Sequence, residues 1–372
     1  MEACSSFAMF LDRNGLDPLL YQKCSVIPRY IRINPRTPNV TLEDLRSQLG
    51  ADVNQVGWLP GFYSMPDSVG LAGCALYKEG RIYGVDAASG AAVRALSPQP
   101  GDHVLDICAA PGAKLCMIAD LLGGVGSVTG VDVSRDRLAT CRTLACKYRI
   151  PNCRLFLCDG TTFSAPPPST AAAEPGAALL YPPAGATSRQ PLGQGAKRRR
   201  RAPEQVHSDQ VAFFSSPAPD QEVVSEDACQ AGTLYDRVLV DAECTHDGSI
   251  KHILKYDKWG WTTFERRFLD PDRIDSITQL QRKLLMNGIR LLRPGGRLVY
   301  STCSLTRAQN EDVVASVTES LKGVVQVVPC ALAGNDSWPC SPGSLEHTLK
   351  FDPVTSHTSG LFIACIEKLH SS

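Results

Sequence analysis

The sequence predicts an α/β fold with a Rossmann-like, doubly wound parallel sheet. Short apolar runs alternate with helix-length segments, as parallel strands joined by crossover helices require. Several of these runs end in an Asp or a Gly-rich turn, and such sheets bind ligands beyond the carboxyl ends of their strands. At 372 residues the chain also exceeds one ordinary domain, so we expect a smaller appendage beside the sheet.

Five apolar runs are predicted as the strands of this sheet. In chain order they are HVLDIC (103–108), SVTGVDV (127–133), RLFLCD (154–159), YDRVLVDA (235–242) and GRLVYSTCS (296–304). A helix that ends in the turn at Pro294, Gly295 and Gly296 is expected before the fifth strand. These runs place a catalytic domain at residues 98–372.

Residues 1–97 show a different, α+β pattern. PRYIRIN (28–34) is typical of a strand, LEDLRSQLG (42–50) of a helix, and GRIYGVDAASG (80–90) adds a further short element. This stretch is too short for a second large core. The sequence therefore predicts a small accessory domain at residues 1–97.

A compositional change interrupts the catalytic domain. Between residues 164 and 232 the sequence becomes rich in Pro, Ala, Ser and Gly, and hydrophobic periodicity disappears, which predicts a disordered insertion. Its basic run, Lys197 to Arg201, is interpreted as a nuclear import signal, an RNA-touching arm or a solvated stretch. We expect a nuclear or nucleolar protein, with the cytoplasm and the mitochondrion as alternatives.

Composition limits the classes of function. Lys and Arg total 38 against 38 Asp and Glu, so any surface for a polyanion must be local. The 15 Cys include no Cys-x-x-Cys pair and the opening residues do not resemble a secretory signal, so we expect reduced thiols and no structural metal. No apolar run approaches a membrane span. We expect a monomer.

Small and acidic residues at the strand ends predict a cofactor site. The first strand runs into AAPGAK (109–114), whose small residues allow close approach of a ligand. Asp132, Asp159 and Asp241 close the next three strands, and Asp132 is expected at a ribose. Asp106 is as easily a structural residue as a ligand contact. Because the loop lacks dinucleotide and P-loop patterns, S-adenosylmethionine is the predicted cofactor.

Two cysteines lie where the same crevice is expected. Cys244 follows the fourth strand and Cys303 the fifth, and together with Asp241 they form a pattern. Carbon 5 of cytosine becomes nucleophilic when a thiolate adds to carbon 6. Cys303 is predicted to attack, and Cys244 to assist elimination. Asp241, protonated or strongly hydrogen-bonded, would engage the ring nitrogen and the exocyclic amine.

These residues resemble the Sun-type (Nol/Nop/Sun) RNA cytosine-5 methyltransferases over most of residues 25–370. The matching segments are DICAAPGAK (106–114), GVDVSRDRL (130–138), CDG (158–160), VDAEC (240–244) and PGGRLVYSTCSLTRAQNED (294–312). The resemblance implies that Cys303 is the nucleophile and that Cys244 promotes product release. It also implies S-adenosylmethionine contacts at Cys108, Ala109, Ala110, Pro111, Gly112, Ala113, Lys114, Asp132, Arg137, Asp159 and Asp241.

Three positions depart from the family pattern. Glu243 stands where the family has Pro, so a fixed φ is lost. Ala113 replaces the second Gly of Pro-Gly-Gly-Lys, which is tolerable only if its φ is not positive. Leu361 replaces an expected aromatic residue.

RNA, either tRNA or rRNA, is the expected partner. Arg29, Arg32 and Arg36 beside Tyr30 form one predicted contact surface. A second is predicted from a basic and aromatic segment that contains Lys251, His252, Lys255, Lys258, Trp259 and Trp261. A target base must leave its stack to meet Cys303.

Two other functions remain open from the sequence. A DNA cytosine methyltransferase is disfavoured, because that class attacks with a cysteine after the fourth strand within Pro-Cys, and this Pro is absent. A catalytically impaired RNA-binding or ribosome-assembly factor on the same fold is the alternative from another class.

Overall fold

The computed structural model describes residues 5–168, 211–215, 234–330 and 338–370, except for residues 18, 25 and 38. The strands are β1 Arg29–Ile33, β2 Asn54–Gln55, β3 Phe62–Met65, β4 Ile82–Gly84, β5 His103–Ile107, β6 Ser127–Asp132, β7 Cys153–Leu157, β8 Val211–Ser215, β9 Tyr235–Asp241, β10 Leu292–Thr302, β11 Val325–Val328, β12 Ser341–Pro342, β13 Thr348–Phe351 and β14 Leu361–Lys368.

Helices connect and cover these strands. They are α1 Ser5–Arg13, α2 Leu20–Lys23, α3 Leu42–Leu49, α4 Ala75–Lys78, α5 Ala87–Leu96, α6 Ala113–Leu121, α7 Arg135–Lys147, α8 Ile250–Ile253, α9 Tyr256–Trp259, α10 Trp261–Phe264, α11 Pro271–Leu291, α12 Glu311–Ser320 and α13 Pro353–Ser356. A π-helical turn lies at Glu265–Leu269 and a 3₁₀ turn at Arg307–Gln309. Among the described residues, no helix combines the length and apolar character needed to cross a membrane.

The larger sheet has the doubly wound order that the sequence predicts. Its strands run β8-β7-β6-β5-β9-β10-β14, with β13 and β11 on the outer edge of β14 and β12 on β13. Strands β5 to β10 pair in parallel and β14 pairs with β10 in antiparallel. Chain order reverses at β5, which lies between β6 and β9, so the crevice for a ligand lies beyond the carboxyl end of β5.

Four of the five predicted strands agree with the structure within two residues at each end, and the fifth begins earlier than predicted. Strand β10 starts at Leu292 and contains Pro294, and its pairing with β9 shifts register between Leu292 and Arg297. A proline inside a strand fits at such an irregularity, because no ladder hydrogen bond is lost there. The preceding helix therefore ends at Leu291 and not at the Pro-Gly-Gly turn.

Most of the predicted insertion, 164–232, including Lys197 to Arg201, lies outside the described residues. Its residues 211–215 contradict the expectation of disorder, because they form β8 and pair in parallel with β7. The run VAFFS (211–215) contains one β-branched and two aromatic residues, which favour a strand, within a polar segment. The catalytic sheet therefore gains an edge strand that the composition of the segment concealed.

The four-stranded sheet belongs to the predicted accessory domain. Its order is β2-β3-β1-β4, and α3 packs over it through a core that includes Ile31, Leu45 and Ile82. Thr41 and Asp44 form a capping box at the start of α3, and Gly50 ends the helix with a left-handed φ of 60°. The predicted helix at 42–50 thus forms with both of its end signals.

The predicted domain boundary at residue 97 stays a proposal. Helix α5, on its N-terminal side, contributes Ala91 and Leu96 to the same core as Leu115 of α6 and Val299 of β10. Residues nearer the N-terminus also pack against the catalytic domain, since the Phe7 ring stacks on Trp261 with ring centroids 5.7 Å apart. The N-terminal part and the catalytic sheet therefore share apolar cores.

The structure buries two members of the first predicted RNA surface, Tyr30 and Arg32. Arg32 is buried and its guanidinium lies 2.5 Å from the Asp120 carboxylate of α6, and Arg36 lies 2.7 Å from the same carboxylate. Tyr30 is buried and donates to the His357 carbonyl. The Arg32 charge is thus paired inside the protein, where it joins the accessory sheet to α6, and Tyr30 offers no stacking ring at the surface. Arg29 and Arg36 remain partly exposed, so only part of this predicted surface is lost.

Candidate active site

The loop after β5 has a backbone that a ligand can approach closely. Cys108 has a φ of 67° and Gly112 a φ of 106°. A Cβ on Gly112 would lie 2.8 Å from Cys141 Sγ, so glycine is required for both conformation and space. Ala113 is the first residue of α6 and its φ is not positive, so alanine fits where the family has glycine.

The acidic residue at the end of β6 organises this loop. Asp132 is buried, and its carboxylate accepts from the Ala110 amide at 3.2 Å and from the Ser134 amide at 2.9 Å. Arg137 lies 3.7 Å from Asp132 and donates to the Ala110 carbonyl at 2.7 Å. Asp132 and Arg137, both predicted to contact the cofactor, therefore lie at this loop and hold its backbone through hydrogen bonds.

Two other acidic residues differ in burial. Asp106 is 1% exposed, and its two carboxylate oxygens have no hydrogen-bond partner among the described residues. Burial, and then the charge of Asp241, raise the pKa of Asp106 well above its usual range. Asp159 is exposed and accepts from the Thr161 amide and hydroxyl, both at 2.8 Å. Asp106 is thus a stronger candidate for contact with a ligand that donates hydrogen bonds than the sequence indicated.

Asp241 closes β9 beside a cation. Its Oδ2 lies 2.7 Å from Lys114 Nζ, and its Oδ1 accepts from Ser301 Oγ at 2.8 Å. Burial lowers the pKa of Lys114, but the charge of Asp241 and their hydrogen bond outweigh it, so the net pKa is raised. The sequence predicted Lys114 only as a cofactor contact. In the structure it forms an ion pair with Asp241.

Adjacent strands bring the two predicted cysteines together. Asp241 of β9 is in register with Ser301 of β10, so the loops that follow the two strands start side by side. Cys244 Sγ and Cys303 Sγ are 3.4 Å apart. Cys244 is buried, whereas Cys303 is partly exposed. Their hydrogen bond, followed by burial, raises the pKa of Cys244 well above its usual range, so Cys244 is the thiol of the pair.

A buried polar network fixes these two loops. Thr245 donates its amide to Gln309 Oε1 at 3.0 Å, and Asp247 accepts from the Leu305 amide at 2.7 Å. Gly248 donates to the Cys303 carbonyl at 2.8 Å, and a Cβ there would lie 2.6 Å from that oxygen. Satisfied buried polar groups of this kind specify one arrangement, so the distance between the sulfurs is built into the fold.

His246 is a site residue that the sequence reasoning missed. Its Nδ1 lies 3.0 Å from Cys303 Sγ and 3.7 Å from Cys244 Sγ. The available signal was its position two residues after Cys244 in the loop behind a strand-end Asp. These three side chains could hold a metal ion. Three ligands leave a structural zinc site one short, and we assign no metal to them.

The other two departures from the family pattern have structural accounts. Glu243 pairs with Arg273 of α11, and its carbonyl accepts from Gln281 Nε2 at 2.7 Å, so contacts to α11 hold the position that proline would hold through its ring. Leu361 is buried in β14 and packs in the core.

Fold and site together place this chain among the Rossmann-like methyltransferases. A family model described as "16S rRNA methyltransferase RsmB/F" matches residues 93–171 and 218–367. The chain belongs to this family, and the resemblance noted from the sequence motifs is confirmed.

Named relatives show the same relationship. A mouse (Mus musculus) 28S rRNA (cytosine-C(5))-methyltransferase is 28% identical over 334 residues, which cover 88% of this chain and 56% of the relative. A human (Homo sapiens) tRNA (cytosine(72)-C(5))-methyltransferase NSUN6 is 28% identical over 220 residues, 59% of this chain and 33% of the relative. This chain thus spans little more than half the length of the mouse relative and a third of the human one.

A solved structure of similar extent supports the fold. NSun6 from Pyrococcus horikoshii, determined with SFG, aligns with a TM-score of 0.66 at 17% identity and covers 99% of this chain and 98% of its own. At this identity the likeness shows the fold alone.

Proposed function

We propose that this chain is an RNA (cytosine-5-)-methyltransferase, which transfers the methyl group of S-adenosylmethionine to carbon 5 of a cytosine in tRNA or rRNA. The observation that carries the proposal is the 3.4 Å separation of two sulfurs at the ends of adjacent strands, beside a buried cofactor loop. The named relatives act on cytosine carbon 5 of rRNA and tRNA, which supports the same reaction here.

Residues of the β5 loop fit S-adenosylmethionine. The buried carboxylate of Asp106 has no donor within the described ranges, and an α-ammonium group would supply one. Gly112 and the backbone from Cys108 to Ala113 allow close approach, and Asp132 and Asp159 offer oxygens to a ribose and an adenine. When bound, the cofactor supplies an electrophilic methyl group.

The Lys114–Asp241 pair is suited to reading cytosine. The Watson–Crick edge of cytosine presents an exocyclic amine as a donor beside two acceptors, and this pair presents a carboxylate beside an ammonium group. We propose that Asp241 accepts from the amine while Lys114 donates to the ring. The ammonium group would also offset the charge that develops when sulfur adds to the ring.

The two sulfurs divide the covalent work. Cys303 is the more exposed, so it attacks carbon 6 and makes carbon 5 nucleophilic. Cys244 keeps its proton because its pKa is raised, so it can act as the acid–base partner when the product leaves. A buried hydrogen-bond network that keeps the two sulfurs close together has no evident use in a protein that only binds RNA.

One part of the second predicted RNA surface remains available. Trp259 is 57% exposed, with the Lys255 ammonium 5.6 Å from its ring centroid. The His252 ring lies 5.3 Å from His246 and 6.4 Å from Trp259, so an aromatic path leads from the sulfurs to the surface. We propose that Trp259 stacks on a base next to the target.

Other members of that surface have internal contacts. Lys251 donates to the Pro28 carbonyl at 3.1 Å, and Trp261 packs on Phe7 in the N-terminal core. The side chain of Lys258 is outside the described part. The proposed RNA surface is therefore narrower than the sequence predicted.

A methyl-transfer assay tests the proposed function. Cellular RNA is incubated with isotopically labelled S-adenosylmethionine and the wild type, Cys303→Ala or Cys146→Ala. Cys146 is an exposed cysteine on α7 and serves as the matched control. We expect 5-methylcytosine from the wild type and the control and none from Cys303→Ala. Equal labelling by Cys303→Ala would contradict the proposal.

We also propose that the protein is a monomer without a structural metal and that Lys197 to Arg201 direct it to the nucleus or nucleolus. The support for these points is the sequence alone. Deletion of the basic run should shift the protein to the cytoplasm, and an unchanged distribution would contradict the import role.

A further inference from the structure

The imidazole of His246 lies against the reacting sulfur. Its Nδ1 is 3.0 Å from Cys303 Sγ, closer than the 3.7 Å to Cys244 Sγ or the 3.4 Å between the two sulfurs. A nitrogen–sulfur distance of this length is a hydrogen bond, in which Nδ1 either accepts from a thiol or donates to a thiolate. Of the two sulfurs, the closer partner of the imidazole is the proposed nucleophile.

The backbone holds the imidazole in this position. His246 has a φ of 56°, a left-handed conformation that non-glycine residues adopt rarely. Its neighbours Thr245 and Asp247 are fully buried and hydrogen-bonded to the loop that carries Cys303. The residue is thus fixed on both sides, which holds its imidazole against Cys303.

We propose that His246 is a catalytic residue that accepts the proton of the Cys303 thiol, so that the resting site holds an imidazolium–thiolate pair. This inference rests on the proposed methyl transfer. The sulfur–hydrogen bond breaks as a nitrogen–hydrogen bond forms at Nδ1. The sulfur electron pair then forms a bond to carbon 6, and the π pair of the carbon 5–carbon 6 bond becomes available at carbon 5 for the methyl group.

The surrounding charges favour this ion pair. Contact with the Cys244 sulfur is the largest influence on His246 and, against the effect of burial, raises its pKa to about 9, with smaller contributions from the charges of Asp247 and Glu243. On the other side, the charge of Cys303 contributes to the raised pKa of Lys114, which places a second cation near that sulfur. A thiol between two cations is stabilised as the thiolate.

Within the part of the chain that the structure describes, the titratable groups that face the imidazole come from a few elements. Its own loop supplies Glu243, Cys244 and Asp247, the loop after β10 supplies Cys303, and α8 supplies His252, with its ring 5.3 Å away. Lys114 of α6 lies beyond Cys303. The experiment therefore follows Cys303 itself rather than the total charge of the site.

Alkylation of Cys303 tests the proposal without RNA or cofactor. The full chain is treated with iodoacetamide between pH 5.5 and 9.5, and the modification of the Cys303 peptide is measured by mass spectrometry. A free thiol with a pKa of about 8.5 is only about 3% thiolate at pH 7. We expect the wild type to react at pH 7 at nearly its maximal rate, and His246→Asn to react about thirtyfold more slowly, in line with its smaller thiolate fraction, and to recover above pH 8.5.

Asn tolerates a positive φ, so His246→Asn removes the ionisable ring with the least backbone strain. The matched control is His347→Asn, an exposed histidine with a φ of 67° on the β12–β13 turn, which should match the wild type. Equal pH profiles of Cys303 in the wild type and His246→Asn would overturn the proposal. If His246→Asn did not fold, the wild type alone would decide, because a profile with a midpoint near 8.5 would also overturn it.

Methyl transfer separates this inference from the proposed function. The rate with His246→Asn should fall at pH 7 and recover in part at pH 9, since hydroxide can then remove the thiol proton. Loss of methylation in Cys303→Ala with an unchanged alkylation profile in His246→Asn would refute the role of His246 alone. A shifted alkylation profile in a chain that methylates no RNA would support the ion pair and contradict the enzyme.

Discussion

Removal of the Asp120 carboxylate tests whether Arg32 of β1 and the nearby Arg36 are structural. In Asp120→Ala, the Arg32 guanidinium, whose side chain is 7% exposed, loses its 2.5 Å partner and stays buried. Breaking a buried ion pair by removing one partner costs about 3–5 kcal/mol. Arg36 adds little to this cost, because it is 27% exposed and still donates to the Arg149 carbonyl.

The free energy of unfolding from urea titrations measures this cost. The matched control is Asp312→Ala, which breaks an ion pair with Arg307 whose side chains are 46% and 69% exposed. That change should cost less than about 1 kcal/mol. If Asp120→Ala were no more destabilising than the control, the two arginines would not anchor the accessory sheet, and their role in RNA contact would have to be reconsidered.

Further predictions concern the candidate site and the proposed RNA surface. Asp106→Asn should stabilise the ligand-free protein by about 1–3 kcal/mol at pH 7, because it removes a buried carboxylate without donors, and thermal unfolding measures this. The wild type should lose cofactor affinity as pH falls through the raised pKa of Asp106, because protonation removes the charge that the cofactor needs. Calorimetry of Asp106→Asn should show weak cofactor binding whose affinity does not change over this pH range. Gly248→Ala should displace the Cys303 carbonyl, costing about 1–3 kcal/mol in urea unfolding and slowing Cys303 alkylation, and unchanged values would refute the packing account. Trp259→Ala should weaken RNA binding about 5- to 150-fold, from a stacking contribution of about 1–3 kcal/mol, with no loss of cofactor affinity.

The sequence predicted those features that follow from strand order. Apolar runs located β5, β6, β7 and β9, and parallel strands end on one edge, so Cys244 and Cys303 could be expected together. The capping signals of α3 were equally readable, because the interactions they encode are local.

The missed features depend on distant pairing. Arg32 is exposed or buried according to the location of Asp120, which is 88 residues away in the chain. The ion pair between Lys114 and Asp241 and the contact of His246 with Cys303 likewise join different elements. No pattern within a single element distinguishes such a residue from an ordinary polar side chain, since only the folded sheet brings the partners together.

The two-cysteine mechanism is tested most directly by mapping a covalent adduct. Cys244→Ala is incubated with RNA and S-adenosylmethionine, denatured and digested, and mass spectrometry identifies the peptide that carries a nucleotide. The account predicts an adduct on Cys303 that accumulates in Cys244→Ala and is absent in Cys244→Ala/Cys303→Ala. An adduct on any other cysteine, or methylation by Cys244→Ala with no adduct and undiminished turnover, would contradict it.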